Sequence, residues 1–183
     1  MQELESQTGK VWVVTGATGG IGREVCRGLA VAGATVVMLG RNEGKLRDLR
    51  QDLRRDTGGH IHVQVCDYAD LESVRAATAA LIGRFGRIQG FAECAGTISA
   101  DRVVMDSGHE KQWTVNVLAP WLLLDGLKDH LLRSAPARIV VLAGSFHKGA
   151  VLDLDDTAWA RRPWSFQAAS NQSQLGRVLM TMA

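Results

Sequence analysis

The chain has 183 residues, 46% hydrophobic and 22% charged, enough for one domain that buries about 70% of its unfolded surface and short for two. Twenty-one Lys and Arg against nineteen Asp and Glu leave a net charge of +2, which gives no charge-based reason for a polyanion partner and so none for nucleic acid. Cys26, Cys66 and Cys94 lack disulfide or metal-ligand spacing, and the polar Met1–Lys10 segment has no apolar signal core, so a reducing, cytoplasmic setting is expected.

The elements follow in chain order. Val11 to Val14 is a short apolar run bounded by Lys10 and Thr15-Gly16, the pattern of a buried strand. From Gly20 the spacing becomes helical, with Ile21, Val25, Leu29 and Ala32 expected inward and Gly33 closing the helix. Thr35 to Leu39 reads as a second strand, and Glu43 to Asp56 as an amphipathic helix with Leu46, Leu49 and Leu53 inward. Ile61 to Val65 is a third strand, Leu71 to Phe85 a helix facing inward with Leu71, Val74 and Leu81-Ile82, and Ile88 to Cys94 a fourth strand. His109 to Arg133 reads as one long helix crossed by Pro120, which should kink it or remove one backbone hydrogen bond. Val115 to Leu124, the most apolar stretch of the chain, is far short of the ~20 residues of a membrane span, so no transmembrane segment is expected. Arg138 to Leu142 is a fifth strand, Ala143 to Trp164 a long irregular loop, and Ser165 to Met182 a last helix. Strands alternating with helices imply an α/β fold of Rossmann type, a doubly wound parallel sheet of about five strands in a single domain over residues 1–183.

Between the first strand and the first helix stands Thr15-Gly16-Ala17-Thr18-Gly19-Gly20-Ile21-Gly22. Glycine permits a tight turn and brings backbone amides close to a pyrophosphate, and the helix behind it points its positive end at that charge. At a strand-to-helix junction opening a βαβ unit, this arrangement indicates dinucleotide binding. The second strand ends in Gly40-Arg41-Asn42 with no carboxylate before Glu43. Arg41 suits a 2′-phosphate, so NADP(H) rather than NAD(H) is expected. The histidines, including His60-x-His62, form no ligand set, and no metal is expected.

The Gly-x-x-x-Gly-x-Gly spacing resembles the short-chain dehydrogenase/reductase family, and the resemblance extends over nearly the whole chain. Asp67, in Cys66-Asp67-Tyr68-Ala69-Asp70, matches the aspartate that contacts the adenine amino group in that family. Glu93-Cys94-Ala95-Gly96 stands where the family has Asn-Asn-Ala-Gly, which places Ala95 and Gly96 beside the cofactor. Asn116, in Val115-Asn116-Val117-Leu118-Ala119-Pro120, matches the asparagine of the catalytic tetrad, and Ser145 is the shifted match for its serine. Phe146-His147-Lys148-Gly149 with Asp153-Leu154-Asp155-Asp156 is most similar to the retinol-dehydrogenase branch. The resemblance implies a carbonyl or alcohol substrate and a homodimer or other partner, with Leu122, Leu123, Leu175 and Leu179 expected on the exposed pairing face.

The departures are as informative. The family's last helix carries Tyr-x-x-Ser-Lys-Leu-Ala-Asn, and here the segment is Ser170-Asn171-Gln172-Ser173-Gln174-Leu175-Gly176-Arg177. Ser170 therefore replaces the tyrosine that carries the substrate proton, and Gln174 the lysine that activates it. A serine is a far poorer acid, and a glutamine carries no charge. Turnover is expected to be poor, with a catalytically silent nucleotide-binding protein as one alternative and a non-redox enzyme using His147 as acid or base as another. The Glu93 side chain is expected to be solvated, and Trp159 and Trp164 either to pack or to line a lipophilic mouth. Because the chain reaches Met182-Ala183 within the last helix, it is expected to lack the family's sixth strand and to leave the fifth strand's edge uncovered.

Overall fold

The computed structural model describes residues 5–182, so the first four residues of the polar N-terminal segment and Ala183 lie outside the described residues. Five parallel strands run in the order β3-β2-β1-β4-β5: β1 Val11–Val14, β2 Thr35–Gly40, β3 Ile61–Val65, β4 Gly90–Glu93 and β5 Arg138–Val141. The helices are α1 Gly20–Val31, α2 Glu43–Thr57, α3 Leu71–Arg84, the single turn α4 Lys111–Trp113, α5 Ala119–Arg133 and α6 Phe166–Met180. Successive strand residues point to opposite faces. Val36 and Met38 pack with Leu46, Leu49 and Leu53 of α2 and Cys26 and Ala30 of α1. Val37 and Leu39 pack with Val74 and Leu81 of α3 and Leu123, Leu127 and Leu131 of α5. This is the doubly wound α/β sheet expected from the alternating pattern.

Three expectations are corrected. In α1 the buried residues are Gly22, Cys26 and Ala30, while Ile21 is 59% exposed. Val25 and Leu29 pack only at the margin of the core. The helix is rotated by about one residue because its smallest side chains must face the glycine turn: a Cβ on Gly22 would lie 2.3 Å from the Gly16 carbonyl oxygen. The fourth helical segment starts at Lys111, capped by the Glu110 carboxylate on the Gln112 and Trp113 amides. Just before Pro120, residues Thr114–Leu118 form a π turn in which the Ala119 N–H reaches back to the Thr114 carbonyl. Pro120 then falls in the first turn of α5, where a missing N–H costs little. Leu123, expected at the surface, is fully buried, and Leu122 and Leu175 are half-buried; of the four leucines only Leu179 is exposed.

The outer edge of β5 has no strand beside it among the described residues, and Ile139 and Val140 are 49% and 45% exposed. No described helix is long and apolar enough to cross a membrane. Leu123→Ala is expected to lower unfolding free energy by about 2–5 kcal/mol in urea titrations, the cost of a core cavity. Leu132→Ala on the same helix, at a largely exposed position, should change it by less than about 0.5 kcal/mol.

Candidate functional site

The C-terminal ends of β1, β2, β3 and β4 open onto one cleft of about 290 Å³. Its floor is a seam between two turns. The Thr15 hydroxyl, fully buried, accepts the amides of Cys94 and Ala95 at 3.1 and 3.0 Å. Gly16 has φ +60°, and a Cβ there would lie 2.7 Å from the Ala95 backbone. Only glycine fits, both by conformation and by space. Gly19 precedes α1 without a side-chain cap, so Gly20, Ile21 and Gly22 begin the helix with amides free to receive an anion.

Thr15, Gly16, Thr18, Gly19, Arg41, Asp67, Ala95 and Gly96 line this cleft. Arg41 is exposed and makes no ion pair or hydrogen bond among the described residues, which leaves its guanidinium available to a phosphate. Asn42 does not line the cleft; its side chain accepts the Lys45 amide at 2.9 Å and caps α2. Asp67 turns one carboxylate oxygen onto the Ala69 amide at 3.0 Å. Lys111 also lines the cleft, a cation that no sequence motif marked. A glycine cradle that a Cβ would fill, a helix start without a cap and an unpaired arginine together fit a dinucleotide bearing an extra phosphate.

On the β5 side of the same strand ends, Asn116 and Gln174 are bound to the protein itself. Asn116, in the π turn, accepts the Thr97 amide at 2.8 Å and donates to the Thr97 carbonyl at 2.9 Å and the Ser173 hydroxyl at 3.1 Å. Gln174 accepts the Gly144 amide at 2.7 Å. The Gly144 backbone is held against α6: a Cβ on it would lie 3.6 Å from the Gln174 Oε1. Ser145 is exposed, and its hydroxyl makes no hydrogen bond among the described residues. The His147 Nδ1–H donates to the Gly144 carbonyl at 2.8 Å, which leaves Nε2 as the acceptor nitrogen. Ser170 is buried on α6, one turn before Gln174. Trp159 is buried beneath the Arg162 guanidinium, 3.7 Å from its ring centre, and packs edge-on to Trp164. The two tryptophans pack against each other.

Glu93 corrects the expectation of a solvated side chain, since it is fully buried. The hydroxyl of Tyr68, the only tyrosine in the chain, donates to Glu93 Oε2 at 2.7 Å. From α6, Arg177 reaches down to the ends of two strands, donating to the carbonyls of Leu142 (2.7 Å), Ala95 (2.7 Å) and Glu93 (3.3 Å). Its guanidinium lies 3.7 Å from Glu93 Oε1. In the sequence, both residues stand where the family pattern has asparagine, one after the fourth strand and one in the last helix. Two separate departures therefore meet as one charge pair, a match visible only once the ends of β4 and α6 are brought together.

Burial pushes the Glu93 carboxyl up from 4.5 to about 7, outweighing Arg177 and the Tyr68 hydroxyl, which favour the ion. The same burial holds the Tyr68 phenol well above its usual range and pushes the Cys66 thiol up to about 12, so neither supplies a ready proton or thiolate. Between pH 4.5 and 7 the folded chain keeps a proton on Glu93 that the unfolded chain releases. This contribution to stability is present in full below pH 4.5 and lost as pH rises through 7. Denaturant titrations from pH 5 to 8 are expected to show a fall on the order of 1–3 kcal/mol from this group, absent in Glu93→Gln.

Residues 10–149 match the short chain dehydrogenase family model. Human retinol dehydrogenase 13 is 34% identical over 174 residues, covering 94% of this chain and 53% of that protein. The SDR family member FEY of Arabidopsis thaliana is 32% identical over 178 residues, covering 92% of this chain and 47% of that protein. The chain thus spans about half the length of these relatives. Among solved structures, a protein of Mycobacterium paratuberculosis superposes with a TM-score of 0.82 at 28% identity, covering 97% of this chain and 62% of that one. A short chain dehydrogenase from Escherichia coli CFT073, complexed with NADPH, superposes with a TM-score of 0.76 at 26% identity, covering 98% and 71%. With the glycine turn, the strand order and the cleft in agreement, the chain belongs to the short chain dehydrogenase family.

Proposed function

We propose that this chain binds NADP(H) in the cleft above Gly16 and transfers hydride poorly or not at all. The observation that carries the reading is the unpaired Arg41 guanidinium on the same cleft as the glycine turn. It matches the 2′-phosphate that distinguishes NADP(H) from NAD(H). The E. coli relative complexed with NADPH supports the same cofactor. In this reading the α1 amides and Thr18 hold the pyrophosphate, Asp67 the adenine, and Ala95 and Gly96 the floor of the site. When bound, NADPH supplies a hydride for a small carbonyl or alcohol substrate. At the substrate end, Ser145 and His147 are the polar groups at hand, while Asn116 is buried and committed to Thr97 and Ser173. Ser170 and Gln174 offer neither the phenol nor the ammonium that the family pattern places there. Gln174 is further committed to the Gly144 amide.

A second reading, a silent NADP(H)-binding regulator or scaffold, is favoured by Ser170 and Gln174 standing where the family pattern has its tyrosine and lysine. Three free cysteines fit a reducing, cytoplasmic setting.

Calorimetry tests the cofactor. Arg41→Ala is expected to weaken NADPH binding roughly 10- to 150-fold, the range of one charge-assisted hydrogen bond, and to leave NADH binding unchanged. Equal NADPH affinity in both proteins overturns Arg41 as the phosphate ligand. NADPH oxidation with a panel of aldehydes and ketones tests the chemistry. Ser170→Tyr combined with Gln174→Lys is expected to raise the rate at least about a hundredfold over wild type, the lower bound for general acid catalysis. A wild-type chain already as fast as the double variant refutes the assignment of the defect to those two positions.

A further inference from the structure

We propose that Glu93 and Arg177 are positioning residues for the dinucleotide cleft, fixing Tyr68 and Ala95–Gly96, two parts of its wall, in one arrangement. The inference rests on the reading that this cleft takes NADP(H).

The strand order shows why such a strut is needed. Tyr68 follows β3, at one edge of the sheet, while Ala95 follows β4, with β2 and β1 lying between. The cleft is therefore bounded by loops whose strands do not touch each other. The Tyr68 hydroxyl crosses that gap to Glu93. Arg177 continues the connection to Ala95 and to Leu142 beyond β5, so one buried chain of polar contacts runs from the β3 end of the sheet to the β5 end. Tyr68, Ala95 and Gly96 all line the cleft. The Arg177 guanidinium lies against Gly96, where a Cβ would be 3.6 Å from Nη1. Glu93 and Arg177 are 0% and 3% exposed, so neither can touch a ligand directly, and their effect passes through what they hold.

Removing Arg177 leaves the Glu93 carboxylate, once ionised, buried without its counter-ion, which is strongly unfavourable. Arginine is the side chain able to serve three carbonyls at once, because its fork of N–H donors is planar and rigid. The groups that face the Glu93 carboxyl are Tyr68 and Cys66 from the end of β3, Arg177 from α6, the neighbouring Cys94 and the Thr15 hydroxyl from the end of β1. Among them Arg177 supplies the positive charge, so ionised Glu93 grips Arg177 more firmly than the neutral acid does.

The test combines NADPH calorimetry with amide hydrogen exchange of the ligand-free chains. Arg177→Met is expected to weaken NADPH binding at least tenfold and to speed exchange at residues 94–97, while residues 36–39 of β2 stay protected. If Arg177→Met does not fold, Tyr68→Phe, which deletes one hydroxyl, carries the test with an expected loss of at least threefold. Glu93→Gln adds a pH readout of binding, taken where both chains are fully folded so that the pH dependence of stability does not enter it. Its NADPH affinity should equal wild type near pH 6 and fall below it by pH 8, with the titration of the ligand itself common to both. Folded variants that bind NADPH as wild type does at every pH overturn the inference, as does an exchange change spread evenly over the sheet. A wild-type chain that binds no NADPH ends the cofactor reading, and whether the exchange change is local or uniform then decides the pair's role by itself.

Discussion

The approach of two backbone turns, Gly16 to within contact of Ala95, is the constraint on which the C-terminal side of the sheet depends. It requires a left-handed glycine at one turn and leaves the other turn no room to shift. It also forces Gly22 toward the Gly16 carbonyl, which sets the rotation of α1 and turns Ile21 outward. The Thr15 hydroxyl completes the seam by taking the amides of Cys94 and Ala95. A cleft floor made this way is backbone throughout, so it can present N–H groups to an anion without any side chain standing between.

A second pattern concerns how polar side chains are used. Near α6 they face inward as braces: Asn116 holds Thr97 and Ser173, Gln174 holds Gly144, and Arg177 holds three carbonyls. Arg162, bonded to Gln172 and paired with Asp156, does the same for the loop before α6. Buried polar groups that satisfy one another in this way specify one packing of α6 on the sheet. Around the glycine turn the opposite holds, since Arg41 and the first amides of α1 are left without protein partners. The molecule is braced where the family pattern places catalysis and open where it places the nucleotide.

The fold was legible in the sequence because its signals are local. Leu46, Leu49 and Leu53 recur at helical spacing and are the buried residues of α2. The apolar runs at Val11–Val14 and Thr35–Gly40 are strands buried between two helical layers. The glycine turn was equally legible, because its spacing encodes a backbone path. What escaped was decided by contacts distant in sequence. Glu93 reads as an ordinary carboxylate until Arg177, 84 positions on, arrives from another element. The phase of α1 is set by the neighbouring turn rather than by its own apolar residues, and Leu123 is drawn inward by the path of α5 over the sheet. The path of the loop after β5 escaped as well, because it is positioned by hydrogen bonds to α6 and carries no periodicity of its own.

The π turn at Thr114–Leu118 has a consequence for how the chain tolerates change in length. A π turn holds one residue more than the α-helical path it interrupts, and it has Asn116 at its middle. Removing one residue there restores a regular helix with the side chains beyond it in phase, whereas the same residues wound as a regular helix would swing every one of them by about 100° around the axis, the angle per residue at 3.6 residues per turn. Leu123, Leu127 and Leu131 would leave the core together, and Asn116 would lose its alignment with Thr97. The extra residue thus acts as a phase adjuster, letting one continuous rod present a polar bracket at its start and an apolar stripe along the rest.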